Sequence, residues 1–185
     1  MIASVTVSAL VLGAALAAPL VAELAGYEST PPDLSDVQTW EVTERSHTDG
    51  DVGYPQDPPV GGPHAPVWLE CGAYDVPVRE ENAVHDLEHG AVWITYDPAL
   101  REPDVDRLAG LLPDNAIMSP RVDLPSPVVV TVWGAQLALE SARDRRLVLF
   151  LEEYGDGHTA PEVGASCHGG TPDPSGEVPV PGTDA

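Results

Sequence analysis

Histidine carries most of the chemical capacity of this chain. Four of its six histidines fall between His47 and His89, and two of them close the string His85-Asp86-Leu87-Glu88-His89. On a helix, residues four apart share a face, so His85 and His89 can grip one ion between them. The string also fits the H-x-x-E-H pattern, in which two histidines bind zinc and the glutamate activates water. His64 and His47 precede it in a segment rich in Gly and Pro that can fold back over a helix. Neutral imidazole is the commonest protein ligand for zinc, copper and nickel, and a three- or four-histidine site suits copper or zinc. Glu88 can serve such a site as a ligand, as a base, or as the partner that orients a histidine.

Three functions compete for these residues. The first is a domain that binds copper or zinc through His64, His85 and His89, with His47 or Glu88 completing the ligand set. Its role would be metal handling or a structural site rather than catalysis. The second is a metal-free binding module of the cell envelope, using the Tyr54–His64 segment to recognise a protein or peptide, with the histidines capping helices and satisfying backbone groups. The third is a small metallohydrolase with Glu88 as base, which needs an open coordination position and a cleft. Catalysis ranks last because the domain is small and no phosphate-binding Gly-rich loop or G-x-S-x-G string is present. Met118, Trp68, Trp93 and Trp133 read as core residues, and His158 and His168 as solvated.

The elements that must position these groups follow from periodicity. Arg45–Pro77 is crowded with Gly, Pro and Asp and reads as a long irregular segment. A helix is predicted over 80–89, with acids in its first turn and Gly90 as its C-cap, then a buried strand over 91–96. Another helix covers 103–112, with apolar residues at Val105, Leu108, Leu111 and Leu112. A short strand over 116–119, a hairpin over 127–140 turning near Gly134, and a helix over 143–154 complete the pattern. The sum is a small single α+β domain: a mostly antiparallel sheet covered by two or three helices, preceded by one N-terminal transmembrane or signal helix.

Composition sets the surroundings. The 185 residues carry 30 Asp and Glu against 8 basic residues, all arginine, for a net charge of −22. Such a surface repels phosphates, so nucleic acid is excluded as a partner, while cations are attracted. Met1–Ala22 has no charged residue and is long enough to span a bilayer, with an Ala15-x-Ala17 arrangement typical of cleavage sites. The chain therefore divides into a membrane anchor or signal segment (1–25), a linker (26–38), an extracytoplasmic domain (39–170) and a disordered tail (171–185). The domain is expected at the cell membrane as a single-pass protein, or secreted after cleavage, with an envelope protein as a partner. In an oxidising compartment the lone pair Cys71 and Cys167 reads as a disulfide, with soft metal ligation as the alternative.

Several strings then add up to a resemblance. Tyr54-Pro55-Gln56-Asp57-Pro58-Pro59-Val60-Gly61-Gly62-Pro63-His64, Cys71-Gly72-Ala73-Tyr74 and Val84-His85-Asp86-Leu87-Glu88-His89-Gly90-Ala91-Val92 resemble the domain-of-unknown-function 3105 family (DUF3105). Met118-Ser119-Pro120, Val132-Trp133-Gly134 and Ala160-Pro161-Glu162 look like that family too. The resemblance implies an N-terminal transmembrane segment, an extracytoplasmic domain, and characteristic histidines at His47, His64, His85 and His89 with Glu88 among them. It implies no activity. The basic stretch that usually precedes the family's membrane segment is missing here.

Overall fold

The computed structural model describes residues 32–177. The membrane or signal segment expected over 1–25, the first part of the linker (26–31) and the last residues of the tail (178–185) lie outside the described residues. Among the described residues, no helix is long and apolar enough to cross a membrane.

The described residues form nine elements in the order β1 (Gln38–Thr39), β2 (Gly72–Ala73), α1 (Glu80–Glu88), β3 (Val92–Tyr96), α2 (Glu102–Ala109), β4 (Ala116–Pro120), β5 (Val128–Val132), β6 (Ala135–Leu139) and α3 (Arg146–Tyr154). The strands form one sheet in the order β1-β6-β5-β3-β4-β2. The sheet is mixed, which corrects the expectation of a mostly antiparallel one. β1–β6, β6–β5 and β5–β3 pair antiparallel, whereas β3–β4 and β4–β2 run parallel. The reason lies in α2: a strand followed by a helix and a second strand returns through a crossover, which lays the two strands side by side in the same direction.

Both faces of the sheet are covered, so its central strands are apolar on both sides rather than alternating. Val92, Ile94, Val128, Val130, Leu137 and Leu139 point to one face and meet Leu108 of α2 and Leu147 and Phe150 of α3. Trp93, Ile117 and Trp133 point to the other and meet Ala83, Val84 and Leu87 of α1, with Leu69 and Val78. The β5–β6 turn falls at Gly134, where φ is +71° and an added Cβ would sit 2.9 Å from the Trp40 carbonyl. That position needs glycine on both counts.

Helix α1 is unusual in being buried from Glu81 to Glu88 although six of its nine residues are polar or charged. Isolated, such burial would be costly. Here the polar side chains hold the irregular segment in place. Glu81 Oε1 accepts the Val52 N–H at 2.8 Å, Asn82 Nδ2 donates to the Val67 carbonyl at 2.7 Å, and Asp86 Oδ2 accepts the Leu69 N–H at 3.1 Å. The helix therefore replaces the sheet ladder that the Pro-rich segment cannot form.

The C-terminal segment is also anchored. Gly90 and Gly157 pack closely: a Cβ added at Gly90 would sit 3.2 Å from Gly157 Cα, and one at Gly157 3.0 Å from the Gly90 carbonyl oxygen. Cys71 and Cys167 form a disulfide across 96 residues of sequence, so neither is free to bind a metal as a thiolate. The expectation of disorder from 171 onward is corrected for 171–177. Thr171 is buried and bridges to Leu69, its N–H donates to Trp68 O at 2.9 Å, and Arg79 N donates to Pro174 O at 2.8 Å. The backbone of the tail thus satisfies groups that composition alone left without partners.

Candidate metal centre

Helix α1 supplies His85 and Glu88, three residues apart and on one face. Opposite them the chain passes through Gly61-Gly62-Pro63 into His64, which is fully buried. His64 and His47 face each other across a short parallel bridge, closed by Thr48 N to His64 O at 2.7 Å and His64 N to Ser46 O at 3.0 Å. That bridge carries the exposed His47 over the helix. As a result, ligand atoms of His47, His64, His85 and Glu88 all lie within 4.8 Å of one another. The rings of His47 and His85 stack at 5.2 Å, and those of His64 and His85 lie 4.8 Å apart.

The tautomers follow from the backbone. His64 Nδ1 is 2.9 Å from Gly62 O, His85 Nδ1 is 2.7 Å from Ala65 O, and His89 Nδ1 is 3.2 Å from Ser166 O. A carbonyl oxygen only accepts, so Nδ1 carries the hydrogen in each ring, and in the neutral imidazole Nε2 keeps its lone pair. These lone pairs then meet. His64 Nε2 faces Glu88 Oε2 at 2.9 Å without the alignment of a hydrogen bond and is otherwise unpartnered. His85 Nε2 lies 3.1 Å from His89 Nε2. Atoms with lone pairs at such distances call for a hydrogen or a metal ion between them. Burial, reinforced by the neighbouring His89, His64 and His47 and partly offset by the Ala65 carbonyl, pushes His85 down to about 4. It is therefore a neutral base near pH 7.

The structure thus brings together four of the predicted residues, His47, His64, His85 and Glu88. His89 stands beside this group, touching His85 on one side and Glu162 Oε2 at 3.5 Å on the other. Trp68, expected in the core, is half-buried and walls the site, with its ring 5.4 Å from His85 and 5.0 Å from His89. Met118, Trp93 and Trp133 are core residues as expected. His168 is exposed and pairs with Glu70 at 3.3 Å. Sequence reasoning missed Glu162 and the three orienting carbonyls. No local pattern marks a backbone oxygen as a histidine's partner, since only the fold decides which carbonyl arrives there.

Asp86 lies on α1 between the ligand-bearing positions and is wholly buried; Oδ2 accepts the Leu69 N–H, while Oδ1 has no partner. Burial pushes its carboxyl well above the usual range, the Leu69 N–H opposes this, and the Glu70 charge adds to it. The native chain therefore holds a proton that the unfolded chain has released. Its stability is undiminished below the ordinary aspartate pKa and declines as pH rises from there towards the native value. Asp86→Asn is accordingly expected to stabilise the metal-free protein at pH 8 by on the order of 1 kcal/mol and much less at pH 4. Thermal unfolding of both proteins in chelator across that range checks it; an equal difference at both ends would show that the charge is not responsible.

No curated protein and no solved structure matches the chain. The model of the family described as "Protein of unknown function (DUF3105)" matches residues 46–169, a span that starts just before His47 and runs through Glu162 and Cys167. The histidine–glutamate cluster and the disulfide both fall within that match, and the chain belongs to the DUF3105 family.

Proposed function

We propose that this chain is an exported or membrane-anchored domain that binds one transition-metal ion, zinc or copper, at His47, His64, His85 and Glu88. The observation that carries this reading is the convergence of lone pairs. Nδ1 of His64 and His85 is held by a backbone carbonyl, which turns Nε2 of His64 to within 2.9 Å of Glu88 Oε2 and Nε2 of His85 to within 3.1 Å of His89 Nε2. Outer hydrogen bonds of this kind orient metal-binding histidines and fix their tautomer. The 2.9 Å separation of His64 Nε2 and Glu88 Oε2 also sits near the roughly 3.3 Å between donors around a tetrahedral ion with bonds of about 2.0–2.1 Å. The donor set of imidazoles and one carboxylate suits zinc or copper(II) over softer ions. An ion here would be a positive charge that the acidic surface attracts.

Location beyond the cytoplasmic membrane is part of the proposal. It is supported by the uncharged N-terminal stretch and by a disulfide of the kind that persists in oxidising compartments. The test is calorimetric titration of the full chain with Zn²⁺ and with Cu²⁺ near pH 7.5. One ion per chain is expected, with affinity falling as pH drops and protons compete for the imidazoles. No binding of either ion would end this reading.

A second reading keeps the histidines as architecture and uses the neighbouring surface. Trp40, Val42, Tyr54, Gly61 and Gly62 line a 340 Å³ cavity flanked by Glu41 and Glu44. Those acids favour a basic peptide as its occupant, with an envelope protein as the source.

A further inference from the structure

Resting on the metal-binding reading, we infer that His89 and Glu162 form a second, outer metal station through which a hydrated divalent ion reaches the inner site and leaves it. His89 does not belong to the inner group, yet it is oriented as a ligand: Ser166 O holds its Nδ1, so Nε2 is the free donor. That atom has two neighbours, His85 Nε2 at 3.1 Å and Glu162 Oε2 at 3.5 Å. The donors therefore form an unbroken row from Glu162 through His89 and His85 to His64 and Glu88. The two outer steps, 3.5 Å from Glu162 to His89 and 3.1 Å from His89 to His85, are short enough for one ion to hold the next donor before releasing the last, and His85 then lies within 4.8 Å of the other inner donors.

Exposure falls along the row. The Glu162 side chain is 53% exposed, that of His89 10%, and that of His64 0%. The first donor is the charged, solvent-facing one, which suits capture of a hydrated cation. The later ones are imidazoles, which suit exchange of its remaining waters. Helix geometry supplies the middle of the route, because His89, the C-cap of α1, follows His85 by one turn and its N–H donates to the His85 carbonyl. The Trp68 ring covers both imidazoles on one side, so the ion moves along the row instead of escaping across it. Glu162 is fixed at the mouth by its own N–H, which donates to Glu88 O at 3.1 Å. Its position therefore does not depend on its carboxylate.

A residue on the path, as opposed to one in the final site, changes rates without changing equilibrium. The experiment is stopped-flow uptake of Zn²⁺ by the full chain and its release to a chromophoric chelator, for wild type and Glu162→Gln. Both rates are expected to fall together by about tenfold, the effect of raising one shared barrier by roughly 1.4 kcal/mol, with Kd unchanged. Glu152→Gln, which removes the same charge from exposed helix α3, is expected to leave both rates near wild type. Weaker binding with faster release would make Glu162 a ligand of the inner site and overturn the outer station. Unchanged rates would overturn it in favour of passage past the exposed His47. Wild type that takes up no zinc would end the metal reading itself, a result distinct from either.

Discussion

His85→Ala is expected to weaken Zn²⁺ or Cu²⁺ binding by more than about 100-fold, beyond the roughly 10–100-fold typical of removing a partner that only orients a ligand. The expectation follows from position. His85 Nε2 is the one donor that belongs to the inner group and also touches His89, so its loss opens the centre of the cluster. The substitution also strips Ala65 O of its donor and leaves a small void beside Trp68, which together should cost about 1–3 kcal/mol of stability. Glu88→Gln separates the two effects. It keeps the volume and removes the charge, so as a ligand substitution it weakens metal binding while the fold persists. Calorimetric affinities beside far-UV circular dichroism of each variant make the check. Wild-type affinity in a folded His85→Ala protein would show that the histidines are architectural.

The second large effect concerns the disulfide. Cys71→Ser combined with Cys167→Ser is expected to lower the unfolding free energy by about 4 kcal/mol, because the bond closes a loop spanning 96 residues of sequence and restricts the unfolded chain. The bond also joins two parts of the site. It ties the segment that carries Ser166 and Glu162 to the start of β2, where Cys167 N additionally donates to Asn115 Oδ1 at 2.9 Å. Denaturant unfolding of the oxidised protein and the double variant measures the difference. A change below about 1 kcal/mol would mean that packing of Leu69, Thr171 and Gly170 holds this segment without the covalent link.

Local pattern accounts for much of the fold. Helix α1 begins at Glu80 as predicted, the strand after Gly90 is present, and the hairpin turns at Gly134. In each case the signal is periodicity or a residue whose backbone freedom is unique, and such signals act within a few neighbours. What failed was strand direction. The helix between β3 and β4 was legible as a helix, but its meaning as a crossover depends on which strands pair, and Val92–Tyr96 meets both β4 and β5. The tail failed for a related reason. Gly, Pro and Asp between 169 and 177 indicate an irregular chain, yet irregular chain packs firmly when Trp68, Glu70 and Arg79 present backbone groups to it.

The sequence by itself determined the chemistry available to this protein: imidazoles and a carboxylate able to donate to a metal, two cysteines with only each other as partners, and a net charge of −22. Residue types carry those properties wherever they sit. It also determined that His85 and Glu88 share a face, because helical spacing is local. Only the tertiary structure decided that His47 and His64 complete the group and that His89 turns aside towards Glu162. That choice is made by long-range backbone contacts. The bridge between His47 and His64, and the carbonyls of Gly62, Ala65 and Ser166, set which nitrogen of each ring carries the hydrogen and where the other points.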